Sequence, residues 1–283
     1  MRTSSEMFTL FESIAVSDER IRAMTLEGSR VNPNVKPDIW QDYDITFLVT
    51  DTQSYTCSDD WLKVFGDKIF MQKPEAMELF PPDFPSGWFS YLMLFSDGIK
   101  IDLTLVPADD AENYFSQDPL IQVLLDKDGI CPKTLIPSDE QFWVRRPSPG
   151  FVRDCANEFL FVCTYVAKAL LRGELMFANR MFENVLHKEL NRMLGYLAGV
   201  RNGFPLNTGK HDKWLPGFLS ESESEALFKT YCLNDTAAVW NALYTAMRLF
   251  EAAEREVCGA LRYEYNNETE NITQYIETLK NLQ

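Results

Sequence analysis

Histidine is scarce in this sequence, and its cysteines are scattered. Only two histidines occur, His187 and His211, which argues against a histidine-rich metal centre and against a histidine-based proton relay. The six cysteines lie far apart and form no CxxC pair. They therefore indicate reduced, buried small side chains rather than a disulfide framework or a zinc site.

Long apolar runs are also missing. No stretch reaches the roughly 18 uninterrupted apolar residues that a membrane-spanning helix needs. The first residues, MRTSSEMFTLFES, contain neither the basic nor the apolar segment of a signal peptide. We therefore expect a cytoplasmic protein without a membrane partner.

Positive charge is in short supply as well. The chain has 27 basic and 42 acidic residues, for a formal net charge of −15. A nucleic-acid-binding protein needs the opposite balance, because it attracts phosphates over its whole footprint. We therefore expect no nucleic-acid partner. A negative field favours a cationic ligand, although an acidic surface also serves simply to keep a protein in solution.

Apolar residues are abundant, at 46% of the chain with 13% aromatic, and the length suits about two domains. The composition changes near residue 150. Before that point, four runs rich in β-branched and aromatic residues predict strands: IRAMTLEGS, DYDITFLVT, WFSYLMLFSDG and KIDLTLVP. Helical spacing lies between and after these runs, and includes the segment from Ala111 to Leu125.

The second half of the chain has a different pattern. After RRPSPG, long segments with apolar residues at helical spacing predict a helical bundle. Pro147, Pro149 and Gly150 mark a boundary, because this run continues neither a strand nor a helix. We predict an α/β (α+β) fold, with a mixed sheet flanked by helices in a domain over residues 1–148 and a helical bundle over residues 149–283.

The strongest chemical signal lies in the first two predicted strands. Gly28 and Ser29 end the first strand, and Asp42 and Asp44 open the second. Side chains alternate along a strand, so the two aspartates point to the same face and lie close enough to share divalent cations. Two carboxylates held together in an apolar strand are unfavourable unless a metal ion neutralises them, so this pair predicts a metal site.

Asp102, in the apolar run KIDLTLV, is the natural third carboxylate. Mg²⁺ prefers oxygen ligands and usually retains substrate phosphates among them. Two such ions, about 3.5 to 4 Å apart, activate the attacking oxygen and stabilise the leaving oxygen. We therefore predict a nucleotidyl-transfer site in which Asp42, Asp44 and Asp102 are the metal ligands and catalytic residues.

The turn after the first strand suits a triphosphate. Gly28 allows the backbone to approach the phosphates, and Ser29 adds a hydroxyl and an amide as donors. Arg30 could pair with a phosphate. In the helical half, Lys168 lies on a polar arc of the helix that begins after Pro149. It could reach the β- or γ-phosphate. The alternative interpretation is that this arc is simply a solvent-exposed polar stripe.

Together these residues resemble a known family. The Gly-Ser, spacer and Asp-Xaa-Asp arrangement is similar to that of the polymerase-beta-like nucleotidyltransferase superfamily. Longer segments resemble the aminoglycoside 6-adenylyltransferases, which modify streptomycin: MTLEGSR, QDYDI, MQKPEAMELFPP, WFSYLMLFSDGIKIDLTLVP and NEFLFVCTYVAKAL. The likeness runs from near Met7 through the last helices and is weakest after about Asn202.

The resemblance implies transfer of AMP from ATP to the 6-hydroxyl of the streptidine ring of streptomycin, with release of pyrophosphate and resistance to the antibiotic. It implies Mg²⁺ on the three aspartates, with two ions expected, and a triphosphate held by residues 28–30. We further expect a substrate-binding helical domain, in a chain that is a monomer or a small homo-oligomer. The general base stays open between Asp102 and a carboxylate of the helical domain.

The guanidinium groups of streptomycin would be recognised by carboxylates and aromatic rings. Candidates between the second and third predicted strands are Glu75, Glu78, Asp83 and Trp88. Two alternatives remain open. One is a transferase of the same superfamily that acts on a protein side chain or a nucleotide. The other is a catalytically silent regulatory module, which the presence of all three aspartates disfavours.

Overall fold

A computed structural model describes residues 1–80 and 82–282, and the chain divides into two units, Met1–Gln141 and Phe142–Gln283. Each unit has its own buried apolar residues. The second unit includes a two-stranded pairing of β7 (Trp143–Val144) with β8 (Leu206–Asn207). Within the described ranges, no helix is both long and apolar enough to cross a membrane.

The first unit is built on one six-stranded mixed sheet. Its strands are β1 (Ile21–Glu27), β2 (Tyr43–Val49), β3 (Lys68–Gln72), β4 (Phe89–Phe95), β5 (Lys100–Pro107) and β6 (Ile121–Asp126). The strand order is β3-β4-β5-β2-β1-β6. Strands β2 and β5 are parallel, and every other neighbouring pair is antiparallel. The helices of this unit are α1 (Ser4–Ser17), α2 (Gln53–Thr56) and α3 (Ala111–Gln117).

The alternation along β2 and β5 separates two faces of the sheet. Tyr43, Ile45 and Phe47 belong to the apolar cluster that also contains Phe11 of α1. Leu48, on the opposite face, packs in a smaller cluster with side chains from β5 and α3. Towards the starts of β2 and β5, that opposite face carries aspartates and threonines instead. The sheet is therefore apolar on one face and divided into an apolar and a polar region on the other.

One predicted helix is shorter than its sequence pattern suggests. Helical spacing predicts a helix from Ala111 to Leu125, but α3 ends at Gln117 and the apolar run that follows forms β6. Asp118 is extended, with φ −134° and ψ 127°, because a residue that precedes a proline, here Pro119, is disfavoured in the helical region.

The second unit is a helical bundle. Its helices are α4 (Pro149–Leu171), α5 (Leu175–Met181), α6 (His187–Asn202), α7 (Glu221–Lys229), α8 (Thr236–Leu261) and α9 (Glu268–Lys280). A π-helical turn, Phe182–Leu186, joins α5 to α6. Phe159 of α4 stacks on Phe250 of α8, with ring centroids 4.1 Å apart. The predicted fold class, a mixed sheet with helices followed by a helical bundle, is confirmed.

A buried glutamate makes the stability of this protein depend on pH. Glu254 of α8 is 7% exposed, and burial, together with Glu268 and Glu251, raises its pKa from 4.5 to about 7. The unfolded chain therefore releases this proton at a lower pH than the folded protein does. Consequently, the folded state loses stability as the pH rises from about 4.5 to about 7.

We expect Glu254→Gln to stabilise the protein at pH 8 but to have little effect at pH 4.5, because the amide cannot ionise. The gain should be about 1 to 2 kcal/mol, less than roughly 1.4 kcal/mol per pKa unit would give, because the surroundings of a buried charge relax around it. Urea denaturation at both pH values measures it. Exposed Glu264 provides the control variant, Glu264→Gln, which should change little. A stability gain for Glu254→Gln that is equal at the two pH values would contradict this assignment.

Candidate active site

Three acidic residues form a row across three adjacent strands of the first unit. Glu27 is the register partner of Asp44 across the β1–β2 pair. Asp44 is in turn the partner of Asp102 across the β2–β5 pair. Because neighbouring strands lie about 4.8 Å apart and register partners point to the same face, the three carboxylates lie side by side. The row lines a cavity of about 430 Å³.

A lysine joins two of the predicted metal ligands. The Lys100 ammonium donates hydrogen bonds to Asp42 Oδ2 at 2.8 Å and to Asp102 Oδ2 at 2.6 Å. A single cationic group thus already links the carboxylate that precedes β2 to the carboxylate on β5. The structure therefore brings Asp42 and Asp102 within reach of one shared positive charge.

The row is electrostatically unfavourable without further positive charge. Burial raises the pKa of Asp44 to about 7, and the charges of Asp102 and Glu27 add to this rise. Burial also raises the pKa of Glu27, although its Oε1 accepts hydrogen bonds from the hydroxyls of Tyr114, at 2.6 Å, and Thr46. Crowded carboxylates in a partly dry site attract a cation.

The donors in this row fit a hard divalent cation. Asp102 Oδ1 is buried and has no hydrogen-bond partner, and Mg²⁺ binds carboxylate oxygens of this kind. The cage is not assembled in advance, since the described part of the chain contains no group of three or more acidic, histidine or cysteine side chains placed to hold an ion. Binding through Asp42, Asp44 and Asp102 together would therefore require their side chains to rearrange around the ion.

Gly28 lies directly against this row. It follows Glu27, has φ +70° and begins the 3₁₀ turn Gly28–Arg30. A Cβ atom at this position would overlap Asp44 Oδ2 and would lie 3.2 Å from Asp44 Cγ. Glycine is needed here both for the left-handed backbone and for the close approach of the aspartate.

The residues after Gly28 have different surroundings. The Ser29 hydroxyl forms no hydrogen bond with a residue of the described chain, whereas the Ser29 carbonyl accepts one from the Gln41 side chain at 3.0 Å. The Arg30 guanidinium donates to the carbonyls of Asp42 and Gln41, each at 2.7 Å, and lies 3.7 Å from the centroid of the Tyr43 ring. Arg30 thus fixes the segment that carries Asp42.

Sequence comparisons place this chain in a known family. The family model described as streptomycin adenylyltransferase matches residues 1–279. The chain belongs to this family. It is 44% identical over 278 residues to the aminoglycoside 6-adenylyltransferase of Bacillus subtilis (strain 168), covering 98% of each chain. The Campylobacter jejuni aminoglycoside 6-adenylyltransferase is 42% identical over 276 residues, which cover 98% of this chain and 95% of that protein.

A solved structure is also similar to this streptomycin adenylyltransferase family member. The protein in the crystal structure of an aminoglycoside 6-adenyltransferase from Bacillus subtilis is 40% identical in sequence to this chain. The match covers 99% of both chains and has a TM-score of 0.49. The family that the sequence segments resemble is confirmed, and so is the prediction that the chain is an enzyme of the nucleotidyltransferase class.

The predicted site residues separate by unit. Asp42, Asp44, Asp102 and the Gly28 turn come together in the first unit. Lys168 belongs to the second unit, on α4, where its ammonium lies 5.6 Å from the centroid of the Tyr275 ring. The roles of Arg30 and Lys168 as phosphate ligands stay predictions.

Sequence reasoning missed two members of the site, Glu27 and Lys100. Lys100 stands two positions before Asp102, so strand alternation alone places both side chains on one face. Glu27 directly precedes the Gly28 turn, and its place beside Asp44 follows only from the register of β1 against β2. The position of Lys100 could have been predicted from the sequence, whereas the position of Glu27 depended on strand pairing.

Two of the four candidate acceptor contacts line the same cavity as the acidic row. Glu75 and Asp83 are on its wall, and Glu75 Oε2 accepts hydrogen bonds from the Ser90 amide and hydroxyl, both at 2.7 Å. Trp88 is instead a core residue, 5% exposed, whose indole donates to Asp110 Oδ2.

We call the cavity that the acidic row lines the acidic cavity. Its carboxylates are Glu27, Asp44, Glu75, Asp83 and Asp102, and no lysine, arginine or histidine of the described chain lines it.

Proposed function

We propose that the chain transfers AMP from ATP to the 6-hydroxyl of the streptidine ring of streptomycin and thereby gives resistance to this antibiotic. One observation carries the proposal: the row of Glu27, Asp44 and Asp102 beside the Gly28 turn, in a chain of the streptomycin adenylyltransferase family. The row supplies concentrated carboxylates at the point where the turn permits a close approach of phosphates.

In the proposed reaction, the acceptor oxygen forms a bond to the α-phosphorus of ATP. The bond from that phosphorus to the oxygen that bridges to the β-phosphate breaks, and pyrophosphate leaves with the electron pair. A carboxylate takes the acceptor proton, with Asp102 as the first candidate and a carboxylate of the second unit as the other. Mg²⁺ held by Asp42, Asp44 and Asp102 would supply neutralisation of phosphate charge and a lower pKa for the acceptor hydroxyl.

The protein itself contributes positioning. The Ser29 hydroxyl is available to donate to a phosphate oxygen. Arg30 holds the carbonyls of Gln41 and Asp42 and so keeps the Asp42 segment beside the turn. The Arg30 contacts fix the backbone that carries Asp42 before the substrate binds, which reduces the entropy lost at the transition state.

The acidic cavity suits a guanidinium-bearing acceptor. Guanidinium groups form bidentate hydrogen bonds with carboxylates and stack on aromatic rings. Besides its five carboxylates, this cavity is lined by Phe80 and Phe84. Streptidine carries two guanidinium groups on one ring, whereas the cationic groups of kanamycin are all amines. We therefore expect streptomycin to be the better acceptor.

Incubation of the purified chain with ATP, Mg²⁺ and a panel of acceptors tests this function. Mass spectrometry should find one AMP added to streptomycin, NMR should place it on the 6-hydroxyl, and kanamycin should remain unmodified. Expression in a susceptible bacterium should protect against streptomycin and not against kanamycin. AMP found only on a protein or a nucleotide would replace the proposed acceptor, and no transfer to any acceptor would favour the regulatory module.

A further inference from the structure

Lys100 is held between two carboxylates that come from different parts of the first unit. Its ammonium forms ion pairs with Asp42 Oδ2 at 2.8 Å and with Asp102 Oδ2 at 2.6 Å. Asp102 is on the same strand, β5, whereas Asp42 directly precedes β2. These strands are parallel neighbours, in which Tyr43 is the register partner of Ile101. The ammonium therefore links the starts of two adjacent strands.

This ammonium is a single positive charge at a crowded group of carboxylates. Asp44 is the register partner of Asp102. No other lysine or arginine of the described chain forms an ion pair with Asp42, Asp44 or Asp102, and Arg30 donates to backbone carbonyls instead. Carboxylates this close repel each other, so a cation among them stabilises the arrangement. Lys100 supplies that cation from within the protein.

The ion pairs of Lys100 are accessible to water. The exposed fraction of the side chain is 38% for Lys100, 42% for Asp42 and 26% for Asp102. Partly exposed pairs of this kind contribute little to stability, because water screens them. The ammonium itself is strongly hydrated and stands on a flexible stem, so its release into water is not costly. These ion pairs can therefore be exchanged.

A divalent cation at this site competes with the ammonium for its carboxylates. An ion held by Asp42, Asp44 and Asp102 takes oxygens from both partners of Lys100. Two cations on the same two carboxylates repel each other, and the divalent one attracts them more strongly. The ammonium also satisfies Asp102 incompletely, since Asp102 Oδ1 is buried without a hydrogen-bond partner. The carboxylates thus favour the divalent ion over the ammonium.

We propose that Lys100 is a built-in counter-ion, which holds Asp42 and Asp102 together until a divalent cation takes its place. The exchange breaks both ion pairs of Lys100, releases its ammonium to water and forms bonds from the carboxylate oxygens to the ion. No proton is transferred and no covalent bond changes. The inference rests on the proposed function only in requiring a divalent cation at the acidic row.

Titration of the full chain with Mn²⁺, without nucleotide or acceptor, tests the exchange. Lys100→Met keeps the length of the side chain but removes the ammonium, so Mn²⁺ no longer has to displace it. We expect the dissociation constant for Mn²⁺, measured from the paramagnetic resonance of the free ion, to fall by about tenfold or more. Lys100→Arg restores the positive charge and should return the affinity to that of the unchanged protein or below it.

Lys73→Met controls for the loss of one positive charge. Lys73 stands between Gln72 and Pro74, which line the acidic cavity, but its ammonium pairs with Asp59. Its removal takes away the same charge without freeing a predicted metal ligand, so the affinity for Mn²⁺ should change by less than about twofold. Equal gains in Lys73→Met and Lys100→Met would overturn the proposal, because net charge alone would then explain them.

A crystal structure of the unchanged protein with Mn²⁺ tests the exchange even if Lys100→Met folds poorly. Anomalous scattering locates the ion, and Lys100 Nζ should lie beyond the roughly 4 Å limit of an ion pair from both Asp42 and Asp102. An ion bound with both ion pairs intact, or no ion at these carboxylates, would overturn the proposal. Exchange in a protein that adds no AMP to streptomycin would contradict the proposed function alone.

Discussion

Replacement of Asp44 by asparagine should reduce nucleotidyl transfer by at least about 10³-fold, the scale on which loss of a principal electrostatic group at a transition state acts. Asp44 is the middle member of the acidic row, between Glu27 and Asp102. The amide preserves the shape of the side chain but removes the negative charge that a divalent cation requires. Steady-state assays with ATP, Mg²⁺ and streptomycin measure the loss.

The stability of Asp44→Asn should not fall with its activity. Burial and neighbouring carboxylates raise the pKa of Asp44, so its ionised form is unfavourable in the folded protein and the neutral amide is not. We expect Asp44→Asn to unfold at the same temperature as the unchanged protein or slightly higher. Loss of activity without loss of stability separates a role in the reaction from a role in folding.

A matched variant controls for the change in net charge. Asp109 is exposed, follows β5 and does not line the acidic cavity, so Asp109→Asn also removes one carboxylate but none from the row. Its activity should be unchanged. Binding of Mn²⁺ as a probe ion should weaken for Asp44→Asn alone. Activity of Asp44→Asn within a few-fold of the unchanged protein would exclude Asp44 from the reaction.

The sequence predicts the interior strands of the sheet but not its edges. Four of the six strands either alternate between apolar and polar residues or have most of their residues buried. These are β1, β2, β4 and β5. Strands β3 and β6 are at the two edges. No residue of β3 is buried, and in β6 only Ile121 is. With so little burial, an edge strand lacks the period-two pattern on which recognition from sequence depends.

The site divides in the same way between local and long-range information. The pair Asp42 and Asp44 is a local pattern, readable from strand alternation. Asp102 could be proposed as their partner because it is an isolated acid in an apolar strand. That Asp44 lies between Glu27 and Asp102 depends on which strands pair and in which register. Pairing and register arise from packing of the whole sheet and are not encoded in any one segment.

Gly28→Ala should also reduce transfer by about 10²-fold or more, because a misplacement of about 1 Å at a reacting centre is enough for a loss of that size. The added methyl group would overlap Asp44 Oδ2. To relieve this overlap, either the Asp44 side chain must rotate or the Gly28–Arg30 turn must shift. Either change breaks the row. The φ of +70° at Gly28 adds a backbone cost of about 1 kcal/mol. Assays under the conditions used for Asp44→Asn measure the loss of transfer.

Gly129 separates these two effects. It also has φ +70°, but no atom lies within 4 Å of the place where its Cβ would be. Gly129→Ala therefore imposes the same backbone strain without a steric conflict, and it should lower stability by about 1 kcal/mol while leaving transfer intact. Thermal unfolding and steady-state kinetics on the two alanine variants, side by side, make the comparison. Equal activity of Gly28→Ala and Gly129→Ala would show that the close contact between Gly28 and Asp44 is dispensable. The backbone strain that the two variants share would then account for every effect of the substitution at Gly28.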